Sequence, residues 1–169
     1  MVITVALGSY AGVEGNKSWI KDGPDIGYFQ NTGLFVYKIK KKRKQITDGT
    51  SSTIAIGEVM GEDTDSGSNM WTDAYRDGSC MRNTVNPINT RVGNVPDPNS
   101  SAVGTLSDCK YASGSPLSPC WNGAFGSNHK GGANFVYADG HTVYISENID
   151  LATYRAASTI AGGEALSAP

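Results

Sequence analysis

His129 and Asp139 are the two side chains whose types and separation could do chemistry in this chain. An imidazole and a carboxylate brought together can hold a metal ion or pass a proton. Two features argue against catalysis. Nothing near them in the sequence supplies a convincing nucleophile paired with a base. Asp139 also precedes Gly140, where aspartate is first of all a turn residue. The expectation is structural: His129 closes a loop by hydrogen bonding, Asp139-Gly140 is a two-residue hairpin turn with both positions at positive φ, and His141 lies on the surface. Asp48-Gly49 is read as another turn. No residue is assigned a catalytic role, and a hydrolase is the least favoured reading.

Other residues raise binding chemistry. Glu62-Asp63-Thr64-Asp65-Ser66-Gly67-Ser68-Asn69 alternates hard oxygen donors as a calcium loop does. Its glycine is one place early for an EF-hand and no glutamate closes it. Asp63 and Asp65 are the calcium candidates, and an acidic solvated loop is the plainer reading. Six of the fourteen basic residues fall in Lys38-Ile39-Lys40-Lys41-Lys42-Arg43-Lys44. On an edge strand such charges block unwanted pairing. The functional alternative is docking to an acidic surface: another subunit, a polysaccharide or DNA. Net charge is −2 and only Tyr37 stands beside the run, so nucleic acid is not the expected partner. Three cysteines are present, Cys80, Cys109 and Cys120, at spacings that fit no zinc pattern. Cys109 and Cys120 are the favoured disulfide, because they lie close together in a Gly/Ser/Pro-rich stretch. Pairing of Cys80 with either remains the alternative, and so do three reduced thiols. Asn16-Lys17-Ser18 and Asn99-Ser100-Ser101 are short glycosylation patterns.

The elements that must position these residues are mostly strands. The 169 residues are 38% hydrophobic and 18% charged, with 21 glycines, which suits one loop-rich domain spanning 1–169. Val2–Leu7, Gly33–Lys42, Thr53–Met60 and the two arms of a hairpin over 133–147 read as strands. In the second of these, Phe35, Tyr37 and Ile39 form the more apolar face and are placed inward. Ile54 and Ile56 share a face, as do Phe135 and Tyr137, and Val143 and Ile145. Residues 61–128 hold five of the seven prolines and all three cysteines and read as a long loop-rich insertion, anchored by Trp71, Tyr75 and Trp121. Asp150 caps a short C-terminal helix through Arg155 or slightly beyond, closed by Gly162-Gly163. The fold class is α+β, mostly β, built on an antiparallel sheet. Val2–Leu7 is too short to cross a bilayer and lacks the features of a signal peptide.

His129 followed after nine residues by Asp139-Gly140 resembles the H-X9-DG signature of a large bacterial family of prepilin-like proteins. Ser9-Tyr10-Ala11-Gly12 is similar to that family's Ser-Tyr-x-Gly start of the globular part. Ile46-Thr47-Asp48-Gly49-Thr50-Ser51-Ser52-Thr53-Ile54, ending in Gly57-Glu58, resembles its Ile-Thr-Asp-Gly-Thr-Ser-Asn-Thr block. Gly162-Gly163-Glu164 resembles its closing Gly-Gly-Glu. Each match alone is weak, and four in order are specific.

The resemblance implies a pilin-like globular head whose sheet packs on a long apolar helix. That helix would be a preceding segment cut away here or a separate chain, membrane-associated before assembly. It implies an extracellular or cell-surface structural subunit that forms a homo-oligomeric filament. It also offers Cys80 a partner, since a cysteine often follows that helix. Without the helix, the face built from Phe35, Ile54, Ile56, Phe135, Val143 and Ile145 is expected to be partly bare. The alternative function is a surface module binding carbohydrate or another solute through the 61–128 loop.

Overall fold

The computed structural model describes residues 8–17, 31–36, 39–60, 80–90 and 124–163. Their centre is a five-stranded sheet in the order β3-β1-β2-β4-β5. The strands are β1 (Tyr10–Gly15), β2 (Ile54–Glu58), β3 (Met81–Asn83), β4 (Gly132–Tyr137) and β5 (Thr142–Ser146), followed by helix α1 (Leu151–Ala156). The class is α+β and mostly β. Three neighbouring pairs are antiparallel, but β1 and β3 run parallel, so the sheet is mixed. The long connection from Val59 to Cys80 gives the chain enough length to set β3 on the far side of β1. The strand expected over Val2–Leu7, and the calls on Asp63, Asp65, Trp71, Tyr75, Cys109, Cys120 and Trp121, lie outside the described residues.

Alternation along β4 and β5 sorts the sheet into two faces. Ala133 pairs with Ile145 and Phe135 with Val143, so these share the inner face. Gly57 of β2 lies beside Phe135, and Ala11 of β1 beside Gly57. Phe135 is fully buried and meets Phe125 and Tyr154 edge-on, with ring centroids 5.4 and 5.9 Å away. Such pairs are worth roughly 0.5–1.5 kcal/mol beyond their buried area. Tyr154 comes from α1, and Ile88, Phe125 and Ala157 complete the same cluster. The inner face is therefore covered by the chain's own residues. That corrects the expectation that Ile54, Phe135 and Ile145 would stand partly bare.

Two strand readings also change. Ile54 pairs with Tyr137 and Ile56 with Val136, so a bulge at Ala55 slips the register by one residue. Because adjacent residues of β4 face opposite ways, Ile54 lies inward and Ile56 outward, although their spacing promised one face. The predicted strand over Gly33–Lys42 is interrupted. Val36 and Ile39 bridge one another, with the Ile39 N–H donating to the Val36 carbonyl at 3.1 Å, so the chain reverses between them. Val36 is buried, whereas Phe35 and Ile39, expected inward, are 42% and 43% exposed. Lys42–Ile46 then closes a single 3-10 turn, and residues 40–44 are not an edge strand, since among the described residues the sheet's edges are β3 and β5.

α1 begins as its sequence suggests. The Asp150 carboxylate accepts the Thr153 N–H at 2.8 Å and the Thr153 hydroxyl at 2.9 Å. Such a cap is worth about 1 kcal/mol. The helix stops well before Gly162-Gly163. The Ser158 hydroxyl donates to the Arg155 carbonyl at 2.7 Å and the Thr159 N–H to the Ala156 carbonyl at 3.1 Å, satisfying the last turn and releasing the backbone. Arg155 turns its guanidinium onto the Val85 carbonyl and ties α1 to the segment after β3.

The packing under Phe135 makes a stability prediction. A Cβ added at Gly57 would stand 2.5 Å from ring carbons of both Phe125 and Phe135. Gly57→Ala should lower unfolding stability by about 1–3 kcal/mol through overpacking. Urea unfolding followed by far-UV circular dichroism measures this, and an unchanged midpoint would contradict the close approach.

Candidate functional site

Glu58 is the one carboxylate on an otherwise apolar strand, at the C-terminal end of Ile54-Ala55-Ile56-Gly57. It faces outward, in a row that crosses four strands. Tyr10 of β1 pairs with it, and Asn134 of β4 pairs onward with Tyr144 of β5. Glu58 and Asn134 join the two halves: Oε2 accepts the Asn134 N–H at 2.7 Å and its Nδ2–H at 3.0 Å. His129 Nε2 stands 3.4 Å from the other oxygen, Oε1. The glutamate is nearly buried, whereas the imidazole is mostly exposed. The N–H donors satisfy a carboxylate that would otherwise be costly to remove from water.

The loop carrying His129 is closed chiefly by Ser127. The Ser127 hydroxyl donates to the Gly132 carbonyl at 2.7 Å and accepts the His129 N–H at 3.0 Å. Asn89 supports this loop from below: its Oδ1 accepts the Ser127 N–H at 2.9 Å, and its Nδ2 donates to Glu147 at 2.6 Å. Asn89 has a φ of 64°, a conformation asparagine tolerates better than most residues. Neither Glu58 nor Asn89 stands out as a site residue in the sequence. The available signals were a lone carboxylate inside an apolar strand and an asparagine just after Pro87-Ile88.

Asp139 belongs to a different group. The hairpin loop has three residues, Ala138-Asp139-Gly140, instead of two. The Gly140 N–H donates to the Tyr137 carbonyl and the Tyr137 N–H to the His141 carbonyl, both at 2.9 Å. Only Gly140 takes a positive φ, +97°, as in a type I turn followed by a glycine bulge. Asp139 Oδ1 accepts the His141 N–H at 3.1 Å and lies 2.6 Å from His141 Nδ1, while the His141 ring stacks on Tyr137 at 4.4 Å. The loop rests on the Asp48-Gly49 region. The Asp139 N–H donates to the Thr50 carbonyl at 3.1 Å, and the Ala138 N–H to the Thr53 carbonyl at 2.8 Å.

Asp48 is an anchor in its own right. Its Oδ2 accepts the Gly162 N–H at 2.7 Å and the Thr159 hydroxyl at 3.0 Å, and its Oδ1 accepts the Gly163 N–H at 3.0 Å. The Thr47 N–H adds a bond to the Ile160 carbonyl at 2.7 Å. Gly49, with a φ of +99°, completes the turn that presents the carboxylate.

His129 and Asp139 thus have separate partners, Glu58 and His141. Neither imidazole is hydrogen-bonded to a hydroxyl or thiol among the described residues, so the arrangement holds no activated nucleophile there. Among those residues, no group of three His, Cys, Asp or Glu side chains could hold a metal ion. What the geometry does is fasten segments far apart in sequence. Cys80, exposed, lies immediately before β3.

Two carboxyls report these contacts. The His141 N–H, and then its side chain, holds Asp139 below the usual aspartate range; the Thr153 N–H and hydroxyl do the same for Asp150. Because the folded values are depressed, the stabilisation is complete above the unfolded aspartate value, about 3.9, and is lost as pH falls through the folded values. Side-chain NMR titration should place both midpoints below that of a free aspartate; coincident midpoints would contradict the hydrogen bonds. Asp48→Ala should speed amide exchange at Gly162 and Gly163 and cost about 1–3 kcal/mol. Exchange unchanged at both glycines would show that the carboxylate does not hold this segment.

No helix among the described residues is long and apolar enough to cross a membrane. No curated protein and no solved structure matches the chain. A family model does, over residues 5–152, a span that includes all five strands and the Glu58 and Asp139 contacts, while the partners of Asp48 lie beyond it. By that match the chain belongs to the family described as "Protein of unknown function (DUF1559)".

Proposed function

We propose that the chain is the globular head of a structural subunit in an extracellular type IV pilus-like or pseudopilus-like filament, acting by packing and not by catalysis. The observation that carries this reading is the outer face of the sheet. Its inner face is filled by α1 and the segments around Ile88 and Phe125. On the outer face, Tyr10 and Tyr144 are 53% and 47% exposed at the two ends of the Glu58 row. Phe35 lies over Gly12, and Ile56 and Val136 between them are only partly covered. The outer face is thus the side on which a helix, from a preceding segment or a separate chain, would lie. Its aromatic side chains offer large contact area at low entropic cost. Each 100 Å2 of apolar surface covered there contributes about 2.5 kcal/mol.

The fastened segments suit that role. Asp48, Glu58 and Asn134 make a head of fixed shape, and a fixed shape is what repeated head-to-tail contact needs to build an open helical polymer. The motif matches from His129 to Gly140 and from Ile46 to Glu58 support the relation to prepilin-like proteins. In that setting the helix partner is membrane-associated before assembly, and the finished filament is extracellular.

Negative-stain electron microscopy of the purified full-length protein tests the reading. Filaments are expected from the wild type. A Tyr10→Ser/Tyr144→Ser variant with an unchanged melting temperature is expected to give few or none. A wild-type protein that stays a monodisperse monomer with no helical partner would refute the proposal, and a tryptophan fluorescence change on adding a sugar would then favour the solute-binding module.

A further inference from the structure

We propose that the turn Lys40–Lys44, together with Ile39, is a docking surface for a bilayer rich in anionic phospholipid. Five of the fourteen basic residues occupy these five consecutive positions, while all sixteen acidic residues lie elsewhere. Lys40, Lys42, Arg43 and Lys44 are exposed, and none of the five forms an ion pair among the described residues. The plain explanation does not account for them, because among the described residues they guard no sheet edge. They are also gathered instead of spread out. The Lys42 N–H donates to Gln45 Oε1 at 2.6 Å, the Gln45 N–H to the Lys42 carbonyl at 2.8 Å, and the Ile46 N–H to the Arg43 carbonyl at 3.1 Å. The tight turn holds five consecutive cationic residues in one short stretch, so their fields add over a distance on the order of a Debye length, about 10 Å at 0.1 M salt.

The apolar neighbour selects the partner. Ile39 precedes the run and is 43% exposed, turned outward by the reversal at Val36. Phe35, on the other limb of that reversal, is similarly exposed. An aliphatic side chain cannot stack on a base or a sugar, so a soluble polyanion gains little from Ile39. A bilayer uses both parts: lipid phosphates meet the lysines, and Ile39 enters the boundary below them. Each cation held near an anionic leaflet raises partitioning roughly five-fold.

Co-sedimentation of the full chain with vesicles tests the surface. Vesicles of phosphatidylglycerol and phosphatidylcholine should bind it, and pure phosphatidylcholine vesicles should not. Lys42→Glu/Arg43→Glu/Lys44→Glu should reduce partitioning by at least ten-fold with the melting temperature unchanged. Ile39→Ser, which leaves the charge intact, should reduce it about three-fold. Binding should weaken as salt rises from about 0.1 to 1 M, where the screening length falls from about 10 to 3 Å. Equal binding to both vesicle types would overturn the proposal. So would failure to bind either, or full retention by Ile39→Ser with displacement by soluble heparin, which would point to a polysaccharide. Because the readout is vesicle binding by single molecules, it is independent of whether filaments form.

Discussion

Phe135 sits where β2, β4 and α1 meet, and its ring needs a neighbour that offers no side chain. Gly57 supplies that gap. With Phe125 and Tyr154 edge-on to the same ring, the contact fixes how far α1 lies from the sheet and where the segment entering β4 crosses it. Tyr154 is fully buried, and burial pushes its phenol well above the usual tyrosine range, so it acts there as a neutral filler. The chain's other devices keep distant segments aligned with this centre. A displaced α1 would uncover the inner face and also pull Ala157 away from Ile54, whose N–H donates to the Ala157 carbonyl at 2.8 Å.

Carboxylates do most of the fastening, and for a common reason. A single carboxylate accepts several N–H bonds at once, and charge-assisted bonds are the stronger kind. Asp48 joins a turn before β2 to backbone more than a hundred residues later. Glu58 joins β2 to β4 by side chain as well as by ladder. Asp139 stiffens the hairpin tip while its own N–H rests on Thr50. The stretches from Ser9 to Gly12, from Ile46 to Glu58, from His129 to Gly140 and at Gly162-Gly163 are therefore one connected structure. Their order along the chain reflects which surfaces must meet, and the chemistry that the His129/Asp139 spacing first suggested is divided between two separate contacts.

Legibility in the sequence followed locality. Alternation in Ala133–Tyr137 and Thr142–Ser146 was readable because a hairpin's two arms see mainly each other. Asp150 was readable as a cap because its bond partners, the N–H and hydroxyl of Thr153, are three residues away. Ile54 and Ile56 were misread because their faces depend on a bulge that only the register with β4 defines. The reversal at Val36 was invisible for a related reason: Tyr37-Lys38 carries none of the glycine, asparagine or aspartate that marks a turn, while Leu34-Phe35-Val36 has strong strand propensity. Asp48 was readable as a turn residue but not as an anchor, since its partners lie in the C-terminal segment. The end of α1 just past Arg155 was readable, but its stop was credited to the glycine pair, whereas here the Ser158 hydroxyl and the Thr159 N–H satisfy the last turn first.

The misread bulge has a larger consequence than one side chain. Had Ile56 faced inward with Ile54, Gly57 would turn outward and Phe135 would lose the gap it fills. The slip at Ala55 instead sends Ile56 out beside Val136, and the reversal at Val36 lays Phe35 over Gly12 on the same side. Two local irregularities thus put apolar surface on the outer face, which the described residues cover only in part. The slip also serves the core, because it sets Gly57 beside Phe135 and keeps Glu58 on the outer face. An open face costs solubility unless it is used. A bulge is also a device for re-aiming a side chain. Ile56, Val136 and Phe35 keep part of their apolar surface uncovered on the outer face, and any further contact made there would add stabilisation in proportion to the area it buries.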